Sequence, residues 1–119
     1  MSVTPQYASV DLGSNSFHLV MARIVDDELV ILDKLKERVR LASGLNSQNV
    51  LSQSVQDEAL ACLDRFGHRL AHLPRGKVRV VGTNTLRKAK NAESFIEKAR
   101  AVLGSPSFLN KGLGILGFT

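Results

Sequence analysis

A short polar turn between two apolar stretches constrains the fold of this chain more than any other feature. The segment VDLGSNSFHLV, from Val10 to Val20, places one Asp, one Gly and three small polar residues between two strand-like runs. Because Asp, Gly, Asn and Ser all favour turns, the simplest interpretation is a hairpin between two strands. A second interpretation is a phosphate-binding turn, since Gly13 lets the backbone approach an anion and aim N–H groups at it.

The polar residues of the turn also bear on its chemistry. Ser14, Asn15 and Ser16 supply side-chain donors, and Asp11 adds a carboxylate where the first strand ends. A carboxylate repels phosphate unless it binds Mg²⁺ or orients a water molecule, so Asp11 suits phosphoryl chemistry better than passive anion binding. On these residues alone, the hairpin and the phosphate turn both stay open.

Three strand-like runs at the start of the chain predict an antiparallel meander. The predicted strands are Tyr7–Leu12, Phe17–Val25 and Glu28–Leu41, and Asp26-Asp27 is a turn signal between the last two. Apolar residues in these runs are rich in β-branched side chains, which favour strands.

Helical and strand patterns then alternate, so the whole chain predicts an α/β fold with a mixed sheet and the order βββαβα. An apolar stripe predicts a helix over Val55 to Leu73, and a second helix covers Ala92–Leu103. Between them, Lys77–Val81 predicts a fourth strand, which joins the sheet in parallel because a helix precedes it. The candidate N-caps are Ser52 or Ser54 for the first helix and Asn91 for the second.

Composition limits the classes of partner. The net charge is +5, from 16 Lys and Arg against 11 Asp and Glu, which favours acidic partners. No apolar run approaches the roughly 20 residues of a membrane helix, and no signal peptide is visible, so we expect no membrane partner. The single cysteine, Cys62, excludes an internal disulfide framework and favours the reducing cytoplasm.

Three stretches, in order, resemble motifs of the exopolyphosphatase and guanosine-pentaphosphate phosphatase (Ppx/GppA) family. They are YASVDLGSNSFHLVMARI from Tyr7, KERVRLASGLN from Lys36 and VGTNTLRKAKNAESF from Val81, and the resemblance covers about Tyr7 to Gly104. It implies part of a ribonuclease-H-like domain of the actin-like ATPase superfamily. Family members remove terminal phosphate from inorganic polyphosphate or guanosine pentaphosphate, usually with Mg²⁺, and full-length relatives are often homodimers.

The resemblance also implies roles for individual residues. The turn corresponds to the first phosphate-binding loop of the family, and Asp11 would orient a metal or a water molecule, with Mg²⁺ as the possible metal. The Arg of the Thr-Asn-Thr-Leu-Arg stretch would face the cleft and hold a pair of phosphate oxygens. The implied phosphate-binding residues are Gly13, Ser14, Asn15, Ser16 and Arg87.

After Gly104 the resemblance ends. The family continues with a strand, a segment containing the Glu thought to activate water, and a second phosphate loop, whereas residues 105–119 read SPSFLNKGLGILGFT and no Glu follows Glu97. We therefore predict a division into residues 1–104, the N-terminal portion of a phosphatase domain, and residues 105–119, an aberrant Gly-rich tail that a truncation or frameshift would explain. Without the general-base Glu, little or no turnover is expected from the chain alone.

Two other functions remain open on the sequence. A kinase of the same superfamily would need an adenosine site in a second lobe. A basic module that binds a polyanion without catalysis would use Lys34, Lys36, Arg38 and Arg40, which alternate along the third predicted strand and so share a face. The alternative for this face is a solvated, charge-protected edge strand. Nucleic acid is not favoured, because no aromatic residue is interleaved with these cations.

The remaining candidate residues have simpler interpretations. His18 is predicted to be a packed or hydrogen-bonded strand residue, because the sequence shows no partner for a catalytic base. His68 and His72 are spaced to share a metal on one helix, but without a third ligand we expect exposed helix histidines. Cys62 is predicted to be a small helix residue and not a nucleophile.

Overall fold

A mixed sheet with helices packed on one face organises the protein, in a computed structural model that describes residues 6–73, 77–104, 107–110 and 114–115. The sheet has six strands in the order β3-β2-β1-β4-β5-β6. The strands are β1 (Gln6–Leu12), β2 (Ser16–Val25), β3 (Glu28–Arg38), β4 (Val78–Gly82), β5 (Ser107–Asn110) and β6 (Gly114–Ile115). The helices are α1 (Gln53–Leu70), α2 (Asn84–Lys88) and α3 (Ala92–Leu103), and a 3₁₀ turn spans Ala42–Gly44.

The predicted antiparallel meander is confirmed. β1 pairs with β2, and β2 with β3, both antiparallel. Asp26 and Asp27 have φ angles of 51° and 64°, which identify the two-residue hairpin turn whose twist matches its strands. β3 ends at Arg38 and not at Leu41, because the chain then turns inward and buries Val39 and Leu41 in the core.

Helix α1 covers one face of the sheet with the apolar stripe that the sequence predicted. Its buried residues include Val55, Ala59, Leu63 and Phe66. Ser52 is the N-cap, since its hydroxyl accepts a hydrogen bond from the Val55 N–H at 3.2 Å, so the alternative of Ser54 was wrong. Among the described residues, no helix is long and apolar enough to cross a membrane.

The crossover to β4 and the second predicted helix are also confirmed. β4 lies parallel to β1 and brings the carboxyl ends of both strands to one edge of the sheet. α3 ends at Leu103, and its C-cap, Gly104, has a left-handed φ of 84°. The short helix α2, however, was not predicted as a separate element.

Asn91 is the N-cap residue of α3, as predicted, but its side chain makes no capping hydrogen bond. Its side-chain oxygen accepts from the Leu51 N–H at 2.9 Å, and its side-chain nitrogen donates to the Leu51 carbonyl at 3.1 Å. The amide thus imitates a strand neighbour for Leu51, which ties the loop before α1 to the start of α3.

The expected order βββαβα is incomplete at its end. β5 runs parallel to β4, and β6 pairs antiparallel with β5. The sequence predicted no element for this stretch, but the backbone groups at the edge of β4 can be satisfied by any extended segment beside them, whatever its side-chain pattern. The rest of the predicted tail, residues 105–106, 111–113 and 116–119, lies outside the described residues, and the division at residue 104 stays a prediction.

Two ion pairs fasten β3 to α1. Arg65 donates to Glu37 from Nε at 3.0 Å and from Nη2 at 2.5 Å, and Arg69 pairs with Asp33. The hydrogen bonds from Arg65 hold the pKa of Glu37 below its usual value of 4.5. The folded state therefore gains stability from ionised Glu37 above that value, and loses it as the pH falls through the lowered pKa.

We expect Glu37→Gln to flatten the acid limb of the stability profile below about pH 4.5. The effect should be small, because solvent reaches both side chains and screens the pair. Thermal unfolding followed by circular dichroism between pH 3 and pH 7 would measure it, with exposed Glu97→Gln on α3 as the control. Identical profiles for the wild-type protein and Glu37→Gln would contradict the expectation.

Candidate functional site

The polar turn lies where the sheet brings two chain segments together. Residues 13–15 link β1 to β2 directly after Leu12, and Leu12 is paired with Gly82, the last residue of β4. The turn and the segment from Thr83 to α2 therefore leave the sheet at the same edge. In open α/β sheets, ligands bind at this carboxyl edge of the parallel strands.

Gly13 fixes the shape of the turn. Its N–H donates to the Ser16 carbonyl at 3.1 Å, which closes the turn on itself. A Cβ atom at position 13 would lie 2.6 Å from the same Ser16 oxygen, closer than real contacts allow. The turn thus requires glycine, but the N–H of Gly13 is used within the turn and does not point to a ligand.

Two backbone donors remain at the apex of the turn. Within the described part of the chain, the N–H groups of Ser14 and Asn15 donate no hydrogen bond. Asn15 is exposed and Ser14 is half-buried. Consecutive N–H groups in a turn form a concave site that attracts anions, so this geometry can accept a phosphate oxygen.

Hydroxyl groups from beyond β4 hold the turn in place. Ser14 Oγ lies 2.7 Å from Thr85 Oγ1, and the Ser14 carbonyl accepts from the Ala42 N–H at 3.0 Å. Thr83 Oγ1 donates to the Leu12 carbonyl at 2.9 Å. The sequence reasoning missed both threonines, although two hydroxyl residues spaced two apart directly after a strand were a usable signal. Ser14 thereby anchors the turn, and the donation of a hydrogen bond from its hydroxyl to phosphate stays a prediction.

Asp11 lies on the open face of the sheet, away from the helices. Its neighbours in sequence, Val10 and Leu12, are fully buried beneath the helices, so the half-buried Asp11 side chain emerges on the other side. Its partners in the flanking strands are His18 and Val81. His18 is exposed rather than packed, and it stands directly opposite Asp11, a neighbour that sequence reasoning had not identified.

The carboxylate beside the turn fits a magnesium ion whose other ligands would be phosphate oxygens and water. Within residues 6–73 and 77–104, no group of three or more His, Cys, Asp or Glu side chains could hold a metal by itself. Mg²⁺ does not need such a group, since it commonly keeps several waters and shares one or two carboxylates with substrate phosphates. The carboxylate of Asp11 beside the turn provides that type of ligand.

Arg87 lies at the end of α2, on the same short helix as Thr85. Its side chain is exposed, and Nη2 donates to Asn84 Oδ1. The anchor between Thr85 and Ser14 brings α2 to the turn. The guanidinium would need to leave Asn84, at least in part, to hold two phosphate oxygens, and this role stays a prediction.

The remaining candidates do not form sites. His68 and His72 are exposed on and just beyond α1, as expected. Cys62 is fully buried in α1, and burial, followed by the nearby charge of Glu37, raises its pKa to about 12. Cys62 is thus a small, buried helix residue, as predicted, and little of its thiol is in the reactive thiolate form near neutral pH. Arg40 lies beyond the end of β3, so it does not belong to the alternating row of cations.

A solved structure establishes the fold class. The Ppx/GppA family member of Aquifex aeolicus matches with a TM-score of 0.79 at 26% identity, over 91% of this chain and 36% of that one. A mixed sheet with helices, arranged in this way, is an actin-like ATPase-type fold, here as a partial domain.

Sequence comparisons then identify the family. The sequence model of the Ppx/GppA phosphatase family matches residues 20–107, and the chain belongs to this family. Guanosine-5'-triphosphate,3'-diphosphate pyrophosphatases of Photobacterium profundum and Vibrio campbellii are 48% and 45% identical to it over 103 residues. This chain spans 21% of the length of either relative. The family match begins after the turn, so the roles of residues 11–16 rest on the motif and its geometry.

Proposed function

We propose that this chain is the N-terminal portion of a phosphohydrolase that removes terminal phosphate from inorganic polyphosphate or guanosine pentaphosphate. The observation that carries the proposal is the glycine-dependent turn at the carboxyl edge of β1 and β4, with the N–H groups of Ser14 and Asn15 available at its apex. Family membership and the names of the two bacterial relatives support the reaction class. They also favour a phosphatase over the kinase alternative.

Each assigned residue has a distinct part in this proposal. The turn binds the terminal phosphate through the backbone N–H groups of Ser14 and Asn15, with the side chains of Asn15 and Ser16 as further donors. Arg87 adds a planar, two-pronged cation from α2. Asp11 holds Mg²⁺, directly or through water, and the ion would neutralise charge on the phosphate when bound. Thr83 and Thr85 position the turn and do not contact substrate.

The same residues define what the 119-residue polypeptide does by itself. Hydrolysis of a phosphoanhydride needs an aligned water, a base and charge stabilisation on both sides of the phosphoryl group. The residues assigned above bind the phosphate, and none of them is assigned as the base that activates the water. We therefore propose that this polypeptide binds substrate with very weak or no turnover. We further propose a cytoplasmic location, supported by the lone free cysteine, and homodimerisation of the full-length protein.

We expect Asn15→Ala and Arg87→Ala each to weaken the binding of tripolyphosphate with Mg²⁺ by roughly 10-fold or more. Each change removes a hydrogen bond to a charged group, typically about 1.5–3 kcal/mol. Isothermal titration calorimetry would measure the affinity, and a phosphate-release assay on the same samples would measure turnover. Gln48→Ala and Lys98→Ala, at exposed positions outside the turn and α2, are the polar and cationic controls.

The control variants decide between a built site and a general polycation. A nonspecific polycation would lose as much affinity from Lys98→Ala as from Arg87→Ala, and would weaken steeply with salt in every variant. That result would contradict the assignment of the turn. Phosphate release at an enzyme-like rate would contradict the separate statement about turnover.

A further inference from the structure

Strand β3 separates its charges between the two faces of the sheet. Toward the helices it presents Asp33 and Glu37, and both are paired with arginines of α1. Toward the open face it presents Lys34, Lys36 and Arg38, here named the basic row. All three are exposed, and in the described part of the chain none has a hydrogen-bond or ion-pair partner. The acidic residues of β3 therefore do not neutralise the basic row.

The basic row begins at the polar turn. Arg38 is the partner of Ser16, the first residue after the turn, and Lys36 and Lys34 are the partners of His18 and Val20. Alternate residues of a strand are roughly 6.6–6.8 Å apart, so the row extends about 13 Å away from the turn. The β-bulge between Met21 and Ala22 lies beyond this stretch and leaves its alternation intact.

Elsewhere on the open face, the charged side chain that β4 contributes is also a cation. Arg79 of β4 is exposed beside Ser9, above a shallow groove of about 360 Å³ whose lining includes Tyr7, Val20 and Val81. Among the described residues of β1 to β4, the strand pairing places one acidic side chain on this face, that of Asp11. An anion in the turn would therefore meet further cations along β3 and none of the paired carboxylates.

We propose that the basic row is an extended subsite for a linear polyphosphate whose terminal phosphate lies in the turn. The inference rests on the proposed function of the turn and names its preferred substrate class. A row of two flexible, point-charge lysines and one arginine suits a repeating polyanion that offers no single recognition geometry. A nucleotide substrate interrupts its phosphates with a sugar and a base, whereas a linear polyphosphate places a negative charge beside every cation of the row. The geometry therefore favours polyphosphate over guanosine pentaphosphate.

The test compares long and short ligands on the double variant Lys34→Gln/Lys36→Gln. We expect about 10-fold weaker binding of a polyphosphate of several dozen units, a salt slope lower by about 2, and an unchanged affinity for tripolyphosphate. Lys90→Gln/Lys98→Gln, which removes the same charge from the segment leading into α3 and from α3 itself, is the matched control and should leave both affinities within about 2-fold. Circular dichroism would confirm that each variant is folded.

Asn15→Ala separates this inference from the proposed function. If Asn15→Ala weakens both ligands and the double lysine variant weakens neither, the turn is a phosphate site and the inference is wrong. If the lysine variant weakens the binding of the long ligand and Asn15→Ala changes nothing, the basic row binds polyanions but the terminal phosphate does not lie in the turn. That result also overturns the inference. A single-stranded oligonucleotide of equal charge is the last comparison. If it binds as tightly as the polyphosphate and loses as much affinity in the double lysine variant, the basic row is a nonspecific polyanion surface and the inference is wrong.

Discussion

Replacing Gly13 with alanine should abolish tripolyphosphate binding and lower the free energy of unfolding by roughly 1–3 kcal/mol. The added Cβ would lie 2.6 Å from the Ser16 carbonyl oxygen. This oxygen belongs to the backbone and cannot rotate away as a side chain could. The chain must shift, and the hydrogen bond between the Gly13 N–H and that oxygen is lost with it. The turn that presents the N–H groups of Ser14 and Asn15 is then changed in shape.

Urea unfolding and calorimetric titration with tripolyphosphate and Mg²⁺ would measure the two effects together. Gly104→Ala is the matched control, because the residue has a left-handed φ of 84° but an added Cβ would meet no atom within 4 Å. We expect this control to lose about 1–2 kcal/mol of stability through backbone strain alone and to bind the ligand normally. Wild-type affinity in Gly13→Ala would show that the shape of the turn is not what binds phosphate.

Gly44→Ala should destabilise the protein by a similar amount, about 1–3 kcal/mol, through the core. A Cβ at this position would lie 2.3 Å from Cγ1 of Val55, which is buried in the first turn of α1. The Gly44 carbonyl also accepts from the Ser52 N–H at 2.8 Å, so a shift of the 3₁₀ turn disturbs the N-cap of α1. Because Ala42 of the same 3₁₀ turn donates to Ser14, we expect a smaller, secondary loss of tripolyphosphate affinity.

A double-mutant cycle with Val55→Ala would test the cause. Removing the two methyl groups of Val55 relieves only part of the overlap, because the Cβ of residue 55 would still lie 2.5 Å from the new Cβ. Gly44→Ala/Val55→Ala should therefore cost about 1 kcal/mol less than the sum of the single changes and remain destabilised. Chemical unfolding of the four proteins provides the required free energies. Additive costs, within about 0.5 kcal/mol, would show that the two side chains do not compete for the same space.

Elements with long periodic patterns were predictable from the sequence, and the elements that were missed lacked such patterns. The meander, α1 and α3 carry enough apolar repeats to define a face. Helix α2, from Asn84 to Lys88, is too short to show a period. β5 follows from the edge that β4 leaves open, which is a property of the assembled sheet and not of residues 107–110.

Partners distant in sequence explain the errors at single residues. Asn91 is a residue type that favours helix caps, but its side chain is hydrogen-bonded to Leu51, 40 residues earlier. Ser14 is a residue type that can donate a hydrogen bond to phosphate, but its hydroxyl is hydrogen-bonded to Thr85, 71 residues later. His18 lacked a visible neighbour until the strand register placed Asp11 opposite it. Local turn chemistry predicts the candidate site, whereas the contacts that support the turn depend on the tertiary structure.

Because Cys62 is fully buried, the reactivity of its thiol can be used to measure how often the core opens. With its pKa raised to about 12, the sulfur carries almost no thiolate near neutral pH and reacts only when α1 lifts from the sheet. Its rate of modification by a thiol-directed dye then reports how often the core opens, as amide exchange does for backbone groups. A second cysteine engineered on the surface could be labelled first and alone, so fluorescence studies need not remove the native residue.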